Sequence, residues 1–291
     1  MLRPSVSAVI GVLLFTACSG EKTSPDKATD KPKKAASEEG DGKPGPKASG
    51  ALEAPSAKPQ PTAAADDGAK PKQGEYGPTV TIPAGTLKAG SRCQDVPRDR
   101  RHELEHESIA MASFEMDAYP YPNREGETVK LGVTWSEAKA LCEERGKRLC
   151  TETEWEWACK AEKNETYPWG RGFKKEPCPG QLDGKLGARP GCKTDFGVKD
   201  MIGVALEWTA SDWKRGTPTG DKVVRGAREK MVSWLSARCT HSRKRDPQKS
   251  YENVGFRCCS GPVNASEVVV AQNREVTLKA YPDIDDKFQR A

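Results

Sequence analysis

The sequence of 291 residues lacks the features that define several protein classes. It has no uncharged apolar run near the ~20 residues that a spanning helix needs, which excludes a polytopic membrane protein. Its 47 basic and 42 acidic residues are interleaved, with no stripe of Lys and Arg among aromatic residues, so nucleic-acid binding is not expected. No CxxC pair occurs, which removes the usual spacing of zinc knuckles and thioredoxin-like redox sites.

Aromatic residues are unevenly distributed along the chain. None lies between Cys18 and Tyr76, and 16 of the 19 fall between Tyr76 and Pro262. The segment before Tyr76 is rich in Lys, Pro and acidic residues, and it cannot bury enough apolar surface to offset its ordering entropy. The sequence therefore predicts a disordered linker, one folded domain and a C-terminal tail of unassigned role, over residues 19–75, 76–262 and 263–291.

Residues 1–18 have the organisation of a secretory signal, with a basic residue, an apolar run and small residues before a cysteine. Thr16 and Ala17, directly before Cys18, resemble a bacterial lipobox, in which the chain is cut before the cysteine and the thiol is lipidated. Phe15 departs from the leucine that is usual in a lipobox, and the alternative is an ordinary cleaved signal. We expect a lipid-anchored, palmitoylated protein of the cell envelope, on the periplasmic side or at the surface.

Nine further cysteines indicate a disulfide framework, because this density in an exported domain is typical of bridges. They are Cys93, Cys142, Cys150, Cys159, Cys178, Cys192, Cys239, Cys258 and Cys259. Since nine is odd, at least one thiol is unpaired or intermolecular, and Cys93, far from the others in sequence, is the candidate.

Two helices are predicted from capping boxes, in which a threonine precedes a glutamate by three residues. The first box is Thr134 with Glu137, and the second is Thr151 with Glu154. The buried stripes of these helices should consist of Trp135, Ala138, Leu141 and Cys142 in the first, and Trp155, Ala158 and Cys159 in the second. Short apolar runs such as TVTIPAG, KVVRG and NVGFRCC are separated by Gly, Pro and Asp and indicate strands and turns. The prediction is an irregular α+β domain.

Seven blocks, in this order and spacing, are similar to the formylglycine-generating enzyme, or sulfatase-modifying factor, family. They are TVTIPAGT, SFEMDAYPYPN, GVTWSEAKALCEERGKRLCTETEWEWACKAE, YPWG, DFGVKDMIGVALEWTASDW, VVRGA and NVGFRC, within about residues 78–259. The resemblance implies a C-type-lectin-like fold with little regular secondary structure. It also implies two disulfides, Cys142–Cys258 and Cys159–Cys239. For the remaining cysteines, Cys178–Cys192 and Cys150–Cys259 are plausible pairs.

Enzymes of this family oxidise a peptide cysteine to formylglycine with two active-site cysteines that bind copper and follow the RGG block. Here the segment from Gly226 to Arg238 reads GAREKMVSWLSAR and contains no cysteine. Counting forward from Arg225 places Met231 and Ser236 at the two positions, whereas counting back from Cys239 places Glu229 and Trp234. Copper and the known oxidase chemistry are therefore not expected.

Other departures concern the neighbouring blocks. The second glycine of RGG is Ala227, and in GVALEW Val204 and Leu206 replace the family's Asn and Trp. The resemblance nevertheless implies one calcium site, whose ligands would be the Asp200 side chain, the carbonyls of Gly203 and Ala205, and the Glu207 carboxylate. Oxygen donors on a tight turn suit a hard cation.

Residues His102 to His106 read HELEH and match the HExxH pattern of zinc peptidases. In that pattern two histidines one helical turn apart bind zinc. The flanking residues indicate a charged loop that enters a strand, and His241 is the sole further histidine. Zinc hydrolysis is therefore disfavoured.

The tryptophans Trp155, Trp157, Trp169 and Trp208 could stack on a ligand, but their helical and block positions favour the core. Together these observations predict an envelope protein that acts by binding a peptide or another envelope protein. The alternative is an enzyme, either a formylglycine-type oxidase with other ligands or a different oxidative activity on the same scaffold.

Overall fold

A computed structural model of the chain describes residues 76–92, 95, 98–99, 101–174, 178, 184–228, 232–264 and 268–270. The predictions for the signal, the linker, Cys18 and Cys93 fall outside these residues. Within them, no helix has both the length and the apolar character needed to cross a membrane.

The described residues form two short α-helices and twelve strands. The helices are α1 (Trp135–Glu143) and α2 (Glu152–Lys160), and both start at the capping boxes expected from the sequence. The strands are β1 (Thr79–Ile82), β2 (Gly85–Gly90), β3 (Glu105–Met111), β4 (Phe114–Asp117), β5 (Arg148–Leu149), β6 (Leu206–Asp212), β7 (Lys214–Arg215), β8 (Lys222–Gly226), β9 (Ser242–Arg245), β10 (Val254–Phe256), β11 (Cys258–Ser260) and β12 (Val269–Val270).

These strands form two four-stranded sheets and two strand pairs. The first sheet has the order β1-β4-β11-β5 and the second has the order β10-β6-β8-β9. Strand β2 pairs with β3, and β7 pairs with β12. The β10–β6 and β12–β7 pairs are parallel, and the other strand pairs are antiparallel.

Helix α2 is buried along its whole length, from Glu152 to Lys160. The sequence predicted a single apolar stripe, and that prediction is too narrow, because the polar side of the helix is also covered by protein. A helix without a solvent face normally consists of apolar residues. This helix instead carries four buried charged side chains: Glu152, Glu154, Glu156 and Lys160.

Each of these charges is paired, as a buried charge must be. Glu152 accepts from the Nη2 atoms of Arg215 and Arg225 at 2.6 and 2.9 Å. Glu154 forms a bidentate pair with Arg148 of β5, at 2.8 Å on both sides. Within the helix, Lys160 lies 3.0 Å from Glu156. Ion pairs therefore join α2 to segments distant in sequence.

Four disulfides staple the domain and include all eight described cysteines: Cys142–Cys258, Cys150–Cys259, Cys159–Cys239 and Cys178–Cys192. They are the four pairings expected from the sequence. The adjacent Cys258 and Cys259 lie on β11, where successive side chains point to opposite faces. One therefore bridges to α1 and the other to Cys150, each in a different part of the core.

The described part of the C-terminal tail packs on the domain. Asn264 is buried, and its side chain accepts from the amide of Ala112 at 2.7 Å. The backbone amides of Asn264 and Val268 donate to Glu154 and Glu152 at 3.0 and 3.1 Å. Strand β12 then pairs with β7, so the tail adds a parallel edge strand.

Candidate functional site

The segment that follows the RGG-like block is fixed at both ends. At its start, Gly226 has φ 88°, and a Cβ there would lie 2.9 Å from the Met201 carbonyl oxygen. Ala227, in place of the second glycine, accepts from the Gly203 amide at 2.7 Å and does not have a positive φ, so alanine fits. At its end, the Cys159–Cys239 disulfide and a bidentate pair from Arg238 to Glu103, at 2.6 and 2.9 Å, hold the chain.

None of the four positions that the two registers assign to the catalytic cysteines carries a thiol. Glu229 and Met231 lie outside the described residues. Ser236 is buried, and its Oγ accepts from the Ser233 amide at 2.9 Å. Trp234 is 45% exposed. The described part of the segment therefore presents an indole to solvent and directs the serine hydroxyl into a local turn.

Trp234 is linked through its backbone carbonyl to Tyr167, a buried member of a group of aromatic side chains on another loop. The Tyr167 hydroxyl donates to the Trp234 carbonyl at 2.7 Å. The Tyr167 and Trp169 rings stack with centroids 5.5 Å apart and an angle of 8°. The Phe173 ring lies 5.7 Å from Tyr167 and 6.3 Å from Trp169. We call Tyr167, Trp169, Phe173 and Trp234 the aromatic surface.

The aromatic surface includes two exposed apolar side chains. Four large hydrophobic side chains are exposed among the described residues, and two of them, Phe173 at 39% and Trp234, lie here. The amide of Cys239 donates to the Thr166 carbonyl at 2.9 Å, which ties the two loops together. Exposed aromatic side chains such as Phe173 and Trp234 are typical anchors in protein interfaces.

The four tryptophans considered from the sequence have different positions. Trp155, Trp157 and Trp208 are each 1% exposed and belong to the core, as expected. Trp169 is partly buried and packs against the core, and its ring also stacks on Tyr167. Trp234 is the most exposed member of this surface. In the sequence it was considered only as a catalytic position in one of the two registers. The sequence feature that could have identified Trp234 as exposed is a tryptophan within a segment that shows no apolar periodicity.

The two carboxylates of the calcium prediction, Asp200 and Glu207, differ in their partners. Asp200 is buried with φ 55°, and its Oδ2 accepts from the Gly187 amide at 2.6 Å. Its Oδ1 is buried and has no hydrogen-bond partner among the described residues. Burial raises the pKa of Asp200 to about 6. A buried carboxylate oxygen that lacks a hydrogen-bond donor is a suitable ligand for a cation.

Glu207 fits the calcium prediction less well. Its two oxygens accept from Arg257, at 2.7 Å from Nε and 2.8 Å from Nη2, and from the Trp155 indole at 2.9 Å. The charge of Glu207 is thus balanced by a buried guanidinium. Gly203 and Ala205, whose carbonyls the prediction also uses, flank the buried turn before β6.

The HELEH segment does not form the helix that a zinc peptidase needs. Residues from Glu105 onward belong to β3, so His102 and His106 do not share a helical face. Glu103, which would be the general base, is the buried partner of Arg238. His102 Nδ1 lies 2.8 Å from an Asp99 oxygen. The described residues contain no group of three or more His, Cys, Asp or Glu side chains that could hold a metal ion.

The architecture defines a class of protein: a mixed α/β domain of formylglycine-generating-enzyme, C-type-lectin-like type, with few helices and four disulfides. Residues 128–261 match the family model described as "Sulfatase-modifying factor enzyme 1-like domain". The chain therefore contains a sulfatase-modifying factor domain and is homologous to formylglycine-generating enzymes.

Two bovine (Bos taurus) proteins illustrate the homology. The "Inactive C-alpha-formylglycine-generating enzyme 2" is 35% identical over 153 residues, which are 44% of this chain and 49% of the relative. The "Formylglycine-generating enzyme" is 30% identical over 162 residues, 45% of this chain and 43% of the relative. The chain thus spans about half the length of these relatives or less. The structure of PvdO from Pseudomonas aeruginosa, with a TM-score of 0.50 and 18% identity, shares the fold over 62% of this chain and 93% of that one.

The raised pKa of Asp200 predicts a pH-dependent loss of stability in calcium-free buffer. The folded pKa of about 6 exceeds the ordinary aspartate pKa of 3.8, so the folded state holds the proton more tightly than the unfolded state does. The contribution of Asp200 to the free energy of unfolding is complete below pH 3.8. It is lost as the pH rises to about 6, by up to about 3 kcal/mol. Urea unfolding of wild type and Asp200→Asn across this range measures the effect. Asparagine tolerates the positive φ and does not titrate, and equal pH slopes for the two proteins would contradict the prediction.

Proposed function

We propose that this protein is an envelope-anchored binding protein whose sulfatase-modifying factor domain does not catalyse formylglycine formation. Its partner is a peptide or an envelope protein that contacts the aromatic surface. The observation that carries the proposal is the exposed Trp234 in the segment before Cys239, at one of the positions that the two registers assign to the family's catalytic thiols. A binding role requires only the scaffold and this exposed surface.

The residues of this segment do not suit copper. Copper(I) prefers soft thiolate ligands. Residues 226–238 contain no cysteine, and all eight described cysteines are in disulfides. Ser236 supplies a hard hydroxyl that is already hydrogen bonded. The homology to a protein named as inactive supports the same proposal.

The alternative function is an oxidative enzyme with non-standard ligands. Its support is the 30% identity to the bovine formylglycine-generating enzyme. This alternative needs a redox-active ligand set from elsewhere in the chain, and Cys93 is the remaining thiol that the sequence could offer near the domain.

A copper titration separates the two functions. Titration of the full chain with Cu(I) against a chromophoric chelator should show no tight site. Incubation with a cysteine-containing peptide and oxygen should yield no aldehyde by mass spectrometry. Cys93→Ser serves as the control for adventitious binding by a lone thiol. Tight Cu(I) binding together with aldehyde formation would establish the enzyme and overturn the binding proposal.

The aromatic surface has the properties of an interface centre. Indole and phenol rings bury a large area and lose little conformational entropy when they bind. Here Tyr167 is hydrogen bonded to the backbone of the opposite loop, which holds the loops together before a partner arrives. A preformed surface loses less entropy on binding than a mobile one.

Substitution at the aromatic surface should weaken partner capture. Trp234→Ser and Phe173→Ser should each reduce recovery of the specific partner, cross-linked in cell envelopes, by about tenfold or more. Val263→Ser is the matched control, since Val263 is also exposed, at 56%, but lies elsewhere. Quantitative mass spectrometry measures the recovery. Equal recovery with all three variants would show that this surface is not the interface.

Membrane anchoring through Cys18 is the second part of the proposal. It is supported by the apolar run and the small residues before Cys18. The linker 19–75 has 10 Lys and 10 acidic residues, a balance that gives it little attraction for an anionic surface. The lipid is therefore the proposed anchor, and the linker is the tether.

Cys18→Ser should move the protein from the membrane to the soluble fraction, because it removes the acceptor of the lipid. Ser19→Ala is the control, since it changes the neighbouring residue and keeps the thiol. Fractionation followed by immunoblotting measures the distribution. Unchanged membrane association of the Cys18→Ser protein would argue against lipidation.

We also propose that calcium binds at Asp200, with the carbonyl oxygens of Gly203 and Ala205. The support is the buried Oδ1 without a hydrogen-bond partner and the raised pKa. Glu207 remains in its pair with Arg257 and is not one of the proposed ligands. If calcium binds, its addition removes the loss of stability that ionised Asp200 causes in wild type, and it has no such effect on Asp200→Ala.

A further inference from the structure

Strand β9 is an edge strand with an unusual charge pattern. It lies at one end of the sheet β10-β6-β8-β9, and its residues read SRKR, from Ser242 to Arg245. Within the described residues, no strand pairs with its outer side, and no further backbone hydrogen bond joins β9 to another segment. An edge of this kind leaves backbone donors and acceptors available to another strand.

The side chains of β9 alternate between the two faces of the sheet. Arg243 is opposite Val224, and Arg245 is opposite Lys222, so both arginines share one face with Lys222. Lys244 lies on the other face, where it is 3.5 Å from Asp221. The face that carries Arg243 and Arg245 therefore concentrates three cations.

These cations have too few carboxylates nearby. Lys222 pairs with Asp212. Arg243 donates from Nε to His241 Nε2 at 3.2 Å, and the Arg245 guanidinium lies over the Tyr251 ring at 5.2 Å. Neither guanidinium forms a salt bridge with a described carboxylate. Like charges directly across a strand pair, such as Arg245 and Lys222, are destabilising.

The titration behaviour agrees with this imbalance. Burial, followed by repulsion from Arg245, lowers the pKa of Arg243. Burial and the surrounding arginines also lower the pKa of His241 well below its ordinary value. His241 is thus a neutral acceptor for Arg243 and supplies no negative charge. The buried Nε of Arg245 also lacks a hydrogen-bond partner among the described residues.

We propose that the outer edge of β9 binds an extended acidic segment of a partner protein, which adds a strand to the sheet and places alternate carboxylates beside Arg243 and Arg245. Strand addition supplies backbone hydrogen bonds, and the alternate side chains supply specificity. A carboxylate accepts a bidentate pair from arginine. The spacing of two residues between the arginines matches the period of an extended peptide.

An extended peptide fits this edge better than a lipid surface or a nucleic acid does. Those polyanions need a broad basic patch. Here the neighbouring basic residues Lys222 and Lys244 already have the carboxylates of Asp212 and Asp221 beside them. What remains is a pair of arginines at strand spacing, on a strand whose outer edge pairs with no other described strand. This inference is independent of the proposed role of the aromatic surface.

The test uses the full chain with its disulfides intact and a fluorescent peptide that alternates glutamate and threonine. Fluorescence anisotropy should show binding that weakens as salt is added. Arg243→Gln and Arg245→Gln should each weaken binding by about tenfold. Lys163→Gln, which removes an exposed cation that pairs with Asp195, should leave affinity unchanged. Thermal unfolding verifies that each variant is folded.

Two further peptides distinguish strand addition from simple charge attraction. A peptide with glutamine in place of glutamate should not bind. A peptide N-methylated at alternate backbone amides keeps its charge but loses donors, and it should bind at least tenfold more weakly if a strand forms. Equal binding of the N-methylated peptide, or no binding of the acidic one, would overturn the proposal. Tighter, Arg243-dependent binding of anionic vesicles or DNA would overturn it in favour of those polyanions.

Discussion

The fold depends on the burial of helix α2, which has no solvent face although four of its nine residues are charged. Removing an unpaired ion from water costs several kcal/mol, so the helix can be buried only where counter-charges meet it. Those charges come from β5, β7 and β8 and from within the helix. Although burial alone would raise the pKa of Glu156, Lys160 and Arg225 hold it below its ordinary value. The ion pairs thus hold strands β5, β7 and β8 against this helix.

The same pairs position the candidate site. Arg225, which binds Glu152, is the first residue of the RGG-like block, and the chain runs from there into the segment before Cys239. That segment ends where Cys239 is bridged to α2 and where Arg238 binds Glu103. Both attachments lie outside the positions that carry thiols in the family. The scaffold at these two attachments therefore does not depend on which residues occupy those positions.

Local features of the site region followed from the sequence, whereas their environment did not. The capping boxes at Thr134 and Thr151 depend on residues three apart, and the structure has both. The polar side of α2 was expected to face solvent, since hydrophobic periodicity does not register charges that are paired inside the protein. The HELEH residues show the same limit, because Glu103 matches a motif but serves as the buried partner of an arginine 135 positions away.

The sequence by itself determined where the helices begin and that no thiol lies between Gly226 and Arg238, and the family resemblance implied the Cys142–Cys258 and Cys159–Cys239 pairs. These features depend on residues a few positions apart, or on sequence blocks that occur in the same order as in the family. Tertiary structure alone decided that Trp234 and Phe173 are both exposed, and that Arg243 and Arg245 lie on an edge strand of the described sheet without a salt bridge to a described carboxylate. The physical reason is that the exposure of a side chain and the balance of its charge depend on neighbouring residues that are distant in sequence. Only the folded path of the chain brings those neighbours together.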